Sequence, residues 1–328
     1  MRNPIVIEVA DSSAVGEVRR AAVTVAQRVS LSDDAVGRVS LVVTEMATNI
    51  VKHATSGMFL IGVDGEDETV LEILALDTGP GIHDISQALR DGHSTTGTPG
   101  TGLGAAARHA SFFQLDSRPD RGTAVVARFA RDANRRLVPR TVGVVSIPFP
   151  GETVNGDGWY LKGDGSRRFV MVVDGLGHGP EAHEAAVKAC AAFEKTSEHP
   201  PAVMTVIHDA LRATRGAAVA VAEIDGATLR FCGVGNISAT MIDATARRSA
   251  VSLHGIVGHQ MREAREFTYP WTPDSTLIMH SDGLTTRWDL DAYPGLLGRD
   301  AVLIAGVLWK DHRRRNDDST VLVLQARR

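Results

Sequence analysis

The sequence predicts an α+β protein of two domains, and three observations carry that reading. Apolar residues recur at three- and four-residue intervals over residues 39–54, the mark of a long amphipathic helix. Apolar stretches of strand length end repeatedly on aspartate, as at Asp77, Asp174 and Asp282. Between the two groups, "ARDANRRLVPR" (residues 130–140) is charged, aperiodic and contains Pro139, which marks a seam. We place a first domain over residues 1–133 and a second over 134–328, since 328 residues are comfortable for two cores.

The first half reads as a strand (4–9), a helix (14–29), the amphipathic helix (34–54) and two strands (58–64 and 70–77). A glycine-rich loop follows, then a short helix (103–111) and strands ending with "GTAVVARF" (122–129). The second half opens on the strand 141–147 and continues through "RFVMVVD", "AAVAVAEI", "TLRFCGV", "TLIMHSD" and "STVLVLQA". Helices over 180–195, 201–214 and 299–311 fall between these strands. Each half therefore mixes helices with antiparallel sheet.

Bulk properties exclude several classes. A hydrophobic content of 43% and a charged content of 23% belong to a globular protein rather than a disordered one. A net charge of −4 makes no case for nucleic acid or an anionic membrane as partner. The two cysteines, Cys190 and Cys232, sit in apolar contexts and read as core residues of a reducing compartment. The amino terminus meets an acid at Glu8 with no long apolar stretch before it, unlike a signal peptide. The longest apolar runs, such as "AVLIAGVLW" (301–309), are too short to span a bilayer. The expected location is the cytoplasm.

Within "LVVTEMATNIVKHA" (41–54), Val43, Met46, Ala47, Ile50 and Ala54 share an apolar stripe with Val39. Glu45 and Asn49 occupy another stripe, with Lys52 and His53 a turn further on. On this stretch alone, a solvated face explains the polar stripe as well as a site does. Two further segments decide between them. In "LDTGPGI" (76–82) an apolar strand ends on Asp77 and enters a turn through Gly79 and Gly81. A buried carboxylate there accepts a hydrogen bond from an adenine amine, with glycines letting the base approach the backbone. In "TGTPGTGLGAAA" (96–107), Gly97, Gly100, Gly102 and Gly104, with Thr101 and Leu103, form a loop whose N–H groups can wrap phosphates. The amide oxygen of Asn49 suits Mg²⁺ already held by phosphates, and Glu45 is placed to deprotonate an attacking hydroxyl.

In this order and spacing the three segments resemble the N, G1 and G2 boxes of the GHKL (Bergerat) ATPase fold, an α/β sandwich. The likeness covers residues 4–129 and is similar in particular to the RsbT-like serine kinases that act on bacterial switch proteins. It implies ATP with Mg²⁺ as the ligand, base recognition by Asp77, metal binding by Asn49 and catalytic base function for Glu45. Lys52 and His53 stand at the pocket-side edge, where a phosphate contact and a solvated edge both remain open.

In the second half, "VNGDGWYL" supplies Asp157, "FVMVVDGLGHG" supplies Asp174 and Gly175, "LIMHSDGL" supplies Asp282, and "NDDSTVLVL" supplies Asp317 and Asp318. Carboxylates that share a cleft repel one another unless cations neutralise them, and oxygen ligands favour Mg²⁺ or Mn²⁺ over zinc. Two such ions can activate a water and clamp phosphoryl oxygens. The four motifs resemble those of the PPM-type metal-dependent serine/threonine phosphatases, an α/β/β/α sandwich, in the branch of the sporulation stage II E phosphatase and RsbX. The resemblance covers residues 140–328. It implies metal binding by Asp157, Asp174, the Gly175 carbonyl, Asp282 and Asp317, with two ions the usual number. Two departures leave that number open: Gly156 stands where many relatives carry an acid, and Asp318 can share or take the last ligand role. Arg167, Arg168 and His178 are candidates for a phosphate contact only by proximity in the chain, with surface groups or loop contacts as the other reading. "CGVGNISATM" (232–241) resembles a core strand and turn.

The expectation is a fused regulator that phosphorylates a Ser or Thr of a STAS-domain anti-sigma antagonist with ATP and hydrolyses the phosphoester on that or a related protein. Two other readings stand beside it. In one, the first domain is a non-transferring ATP sensor that sets phosphatase activity. In the other, it is a binding module that sequesters a sigma factor or similar partner. Glu45 favours transfer, because a sensor has no need of a base.

Overall fold

The computed structural model describes residues 2–64, 67–90, 102–132, 135–164 and 167–326. They form two compact units, Met1–Arg140 with Pro294–Asp311, and Thr141–Tyr293 with His312–Arg328.

In the first unit, helices begin where the sequence supplies a cap. Strand β1 (Arg2–Val9) leads to α1 (Ser12–Arg28), started by Asp11, whose Oδ1 accepts from Ser13 N at 2.8 Å. Helix α2 (Asp33–His53) starts at Ser32, whose Oγ accepts from Ala35 N at 3.3 Å. Asp33 and Asp34 in its first turn and Lys52 and His53 in its last complement the helix dipole. Strands β2 (Gly57–Val63) and β3 (Val70–Asp77) follow. A single turn, α3 (Ile85–Ala88), stands in a stretch read from sequence as loop, because Asp84 Oδ1 caps it through Gln87 N at 2.9 Å. Helix α4 (Leu103–His109) and strands β4 (Phe112–Arg118) and β5 (Gly122–Ala130) complete the contiguous part. The five strands pair antiparallel in the order β1-β2-β3-β5-β4. Val18, Val25, Val39, Val43 and Ile50 pack on Phe59, Ile61, Leu71 and Ile73 in one core. The amphipathic stripe of α2 is thereby buried as its spacing predicts.

In the second unit, β6 (Val142–Ile147), β7 (Asp157–Asp164) and β8 (Arg167–Gly175) precede helices α5 (Pro180–Glu194) and α6 (Pro200–Leu211). Strands β9 (Ala217–Asp225), β10 (Thr228–Val234), β11 (Ser238–Ile242), β12 (Arg247–Ser249), β13 (Ser252–Leu253) and β14 (Phe267–Pro270) come next. Strands β15 (Thr276–His280) and β16 (Ser319–Gln325) close the unit. One sheet runs β13-β10-β9-β8-β7 with β14 on β10, and the other runs β12-β11-β15-β16-β6. All pairings are antiparallel except β10 with β13. Val172, Ala222, Phe231, Met279 and Leu322 fill the core between the sheets. Helices α5 and α6 cover the outer face of the first sheet through Phe193, Met204 and Ile207.

Helix α7 (Ala301–His312), read from sequence among the strands of the second half, packs in the first unit through Ala301–Asp311. It is apolar all round, so periodicity cannot say which surface it joins. Two features do. Gly306 lets the helix lie close on the sheet, since a Cβ there would stand 3.1 Å from side-chain atoms of Leu74 and Leu76. Asp300, just ahead of the helix, accepts from Arg128 Nη1 and Nη2 at 2.6 and 2.9 Å and from Arg140 N at 2.7 Å. Arg128 is fully buried, and its Nε donates to Glu72 Oε2 at 2.6 Å with Asp64 Oδ2 at 3.3 Å. Among the described residues no helix is long and apolar enough to cross a membrane.

Removing one partner of a buried ion pair leaves an uncompensated charge, at a cost of about 3–5 kcal/mol. Asp300→Ala is therefore expected to lower stability by about that amount in urea denaturation of the whole chain. An unchanged unfolding midpoint would show that Arg128 does not depend on Asp300.

Candidate functional site

The first unit holds a cavity of ≈ 560 Å³ lined by Glu45, Asn49, Asp77, Gly81, Gly102 and Leu103 among others. The polar stripe of α2 forms one wall, which accounts for a carboxylate and an amide on a mostly buried helix. Asp77 ends β3, and its Oδ1 accepts from Gly79 N at 2.8 Å and Thr123 N at 3.1 Å. Burial pushes its carboxyl above the ordinary range against those two bonds. Burial likewise raises Glu45, with the Lys52 charge opposing, so this carboxylate takes up a proton more readily than a free one. Lys52 and His53 also line the cavity.

The glycines of the turn have distinct work. Gly81 sits at φ +75°, and a Cβ there would stand 2.0 Å from Arg118 O. Gly79 packs on α2, where a Cβ would meet Ala54 Cβ at 3.0 Å. A Cβ at Gly104 would meet Leu89 O at 2.6 Å, so this glycine serves close packing. Gly97, Gly100 and Thr101 lie outside the described residues. An acid end for a base, a helix amide and a candidate general base share one cavity, which fits a magnesium nucleotide.

In the second unit, sheet register gathers the acids. Asp157 opens β7 directly opposite Asp174 on β8. Strand β15 runs into Asp282, and β16 begins just after Asp317 and Asp318, with His280 paired to Val321. Burial, then the charges of Asp157, Asp282 and Asp317, push Asp174 up to about 9. Burial also takes Asp157 up to about 7, with Asp318 and Asp317 adding to it, and Asp317 up to about 6, with Asp282 adding. Burial raises Asp318 as well. The cluster thus carries more repulsion than it can relieve by itself.

Among the described residues, no group of three or more His, Cys, Asp or Glu side chains is arranged to hold a metal ion as it stands. Yet Asp157 Oδ1 and Asp318 Oδ2 are buried and accept no hydrogen bond. Two orphaned carboxylate oxygens in an all-oxygen set fit Mg²⁺ or Mn²⁺. A Cβ at Gly156 would lie 2.6 Å from Asp318 Oδ2 and 2.9 Å from Ala182 Cβ, so an acid there would require Asp318 to move. Gly175, which ends β8 beside Asp174, is equally confined, at 2.3 Å from Ala182 O.

Several residues around the acids escape a sequence reading. Asn236 Nδ2 donates to Asp282 Oδ2 at 2.7 Å, and Ser281 Oγ donates to Asp157 Oδ2 at 2.6 Å while accepting from Thr320 N. Asn155 Oδ1 receives Asp157 N at 2.9 Å. The available signal was an amide after Gly235 in "CGVGNISATM", a stretch otherwise read as core. Arg167 and Arg168 start β8, seven and six residues, or about 23 and 20 Å of strand, from Asp174. Arg167 pairs with Glu223 and Arg168 donates to Gln325 O, so neither serves the acids. His178 is nearer: it stacks on Phe149 at 4.3 Å, and Phe149 N donates to Asp318 Oδ1.

Residues 9–136 match the family described as the histidine kinase-like ATPase domain, and residues 164–327 match stage II sporulation protein E. The serine/threonine-protein kinase RsbT of Bacillus subtilis (strain 168) is 37% identical over 93 residues, 27% of this chain and 68% of that one. The phosphoserine phosphatase RsbX of the same organism is 25% identical over 138 residues, 41% of this chain and 69% of that one. A solved structure described as the bacterial stressosome, a modular system adapted to control secondary messenger signalling, is similar with a TM-score of 0.52. It is 27% identical, covering 56% of this chain and 98% of that one.

Asp77→Asn in the full chain is expected to weaken Mg²⁺–ATP binding by about 1–3 kcal/mol through loss of a charge-assisted bond. Calorimetry showing wild-type affinity would remove Asp77 from the base site. Outer-shell partners typically cost 10–100-fold in metal affinity or activity. Asn236→Ala is accordingly expected to raise the Mn²⁺ concentration needed for half-maximal hydrolysis by roughly 10-fold. An unmoved metal titration would make the Asn236–Asp282 bond incidental.

Proposed function

Because the chain belongs to the stage II sporulation protein E family, with a PPM-type phosphatase fold behind a histidine kinase-like ATPase domain, we propose that it catalyses two opposed reactions. One transfers the γ-phosphoryl group of ATP to a Ser or Thr of a partner protein. The other hydrolyses the phosphoester of that or a related partner. The observation that carries the reading is that each unit holds its own set of chemical groups, Glu45, Asn49 and Asp77 in one and the five aspartates in the other. Similarity to RsbT and RsbX supports a STAS-domain anti-sigma antagonist as the partner. The free thiols Cys190 and Cys232 support a cytoplasmic location.

In the transfer reaction, Asp77 would receive the adenine amine and Asn49 would hold, through its amide oxygen, the Mg²⁺ that accompanies the nucleotide. Glu45 takes the proton of the acceptor hydroxyl as that oxygen bonds to the γ-phosphorus and the bond to ADP breaks. In the hydrolytic reaction, Mg²⁺ or Mn²⁺ would lower the pKa of an attacking water and neutralise the phosphoryl oxygens. Asp157, Asp174, Asp282, Asp317 and Asp318 would hold the metal, with the Gly175 carbonyl beside them. Ser281 and Asn236 hold the outer carboxylate oxygens in place. The products are the free hydroxyl and inorganic phosphate.

A purified STAS partner, ATP and divalent metal test both arms in one experiment, read as phosphoprotein against time. Glu45→Ala is expected to cut transfer by about 10²–10⁴-fold while ATP still binds, the usual worth of a general base. Asp174→Asn should abolish hydrolysis, so that phosphoprotein accumulates above the wild-type level. Transfer by Glu45→Ala at the wild-type rate would remove Glu45 as the base, and no transfer by the wild type would remove the kinase assignment.

A further inference from the structure

Packing places Pro294–Asp311 in the nucleotide-binding unit, while chain order inserts it between two of the phosphatase acids. Only residues 283–293 separate it from Asp282, and only residues 312–316 from Asp317. Both ends of the segment are held by one turn, the β4–β5 connection at residues 118–122. Arg118 Nη2 donates to Pro294 O at 3.2 Å, and Lys310 Nζ donates to Arg121 O.

That same turn is the support of the base end of the cavity. Asp120 N donates to Pro80 O at 2.8 Å, and Thr123 N donates to Asp77 Oδ1 at 3.1 Å. Gly122, at φ +74°, lies so close to Asp77 that a Cβ would stand 2.0 Å from its carbonyl oxygen. Lys310 is also near enough for its charge to oppose the burial of the Asp77 carboxylate. There is no slack in this corner: the turn cannot shift without moving Asp77, Gly81 or the ends of the segment.

Resting on the nucleotide-site reading above, we propose that Lys310 is a positioning residue for Asp77 and that nucleotide in the cavity governs hydrolysis at Asp282 and Asp317 through the segment 294–311. The effector is an adenine nucleotide, and the device is the β4–β5 turn, which holds the base site on one side and both ends of the segment on the other. Kinase and phosphatase are then not independent. The nucleotide that supplies the phosphoryl group also sets the rate of its removal.

The test uses the full chain with Mn²⁺, p-nitrophenyl phosphate as a partner-free substrate, and Mg²⁺ with a non-hydrolysable imido analogue of ATP. Analogue affinity is read by calorimetry, hydrolysis by rate, and the connections 283–293 and 312–316 by hydrogen exchange. Saturating analogue is expected to change the wild-type rate by at least about 5-fold, the lower end of ordinary coupling between sites, and to alter exchange in both connections. Lys310→Met should weaken the analogue and shrink the effect that remains at saturation, and Lys310→Arg should restore both. Analogue that binds the wild type yet leaves rate and exchange unmoved overturns the coupling and leaves the two-reaction reading standing. Failure of the wild type to bind the analogue at all would overturn the nucleotide reading and the coupling together. The wild-type comparison decides the matter even if a variant does not fold.

Discussion

A guanidinium sealed from water must be surrounded by acceptors, and the first unit is arranged to meet that demand at Arg128. Taking a cation of this kind out of water costs several kcal/mol before any partner is counted. Glu72 on the neighbouring strand answers one edge of the fork, and Asp300 takes the other with a bidentate bond. Asp300 does more than neutralise charge. It also accepts from the backbone of Arg140 and Val302, while its own N–H donates to Gln114 Oε1. One carboxylate therefore ties together the middle of a strand, the end of the contiguous chain and the start of a helix from far along the sequence.

The two sites solve their electrostatics in opposite ways. In the cavity of the first unit, Asp77 already receives two backbone N–H groups and the glycine corner has no room to relax. The aspartate cluster has no such balance. Its carboxylates are driven toward protonation by burial and by one another, and two of its oxygens have no donor. The outer bonds from Ser281 and Asn236 align the acids but bring little charge to offset them. A divalent cation is the natural remedy, and Asp318 Oδ2 lies within 2.6 Å of where a Cβ at Gly156 would stand.

Much of this was legible in the sequence, and the residues show why. The stripe of α2 is a local pattern, so spacing alone could place Glu45 and Asn49 on one face, and the two glycine segments were needed to read that face as a pocket wall. The acids at strand ends were visible because an apolar run stops on each of them. What the sequence hides are relations between distant residues. Nothing near Asp300 announces Arg128 as its partner, and nothing around Asn236 announces Asp282. Helix α7 carries apolar residues on every side, so its pattern says that it is buried but not against what. Arg167 and Arg168 looked close to the acids in the chain, yet a strand carries its two ends far apart.

The inserted helix also bears on how the protein is made. The sheet face that carries Leu74 and Leu76 receives Gly306, a residue that follows the seam by about half the chain. At ordinary synthesis rates of about 5–20 residues per second, roughly 10–30 s separate residue 140 from residue 311. Through that interval the first unit leaves the ribosome with an apolar face lacking its helix and a buried-to-be arginine lacking one carboxylate. Folding of the first unit thus waits until residue 311 has been made, and a ribosome that stalls before that point leaves the first unit unfinished.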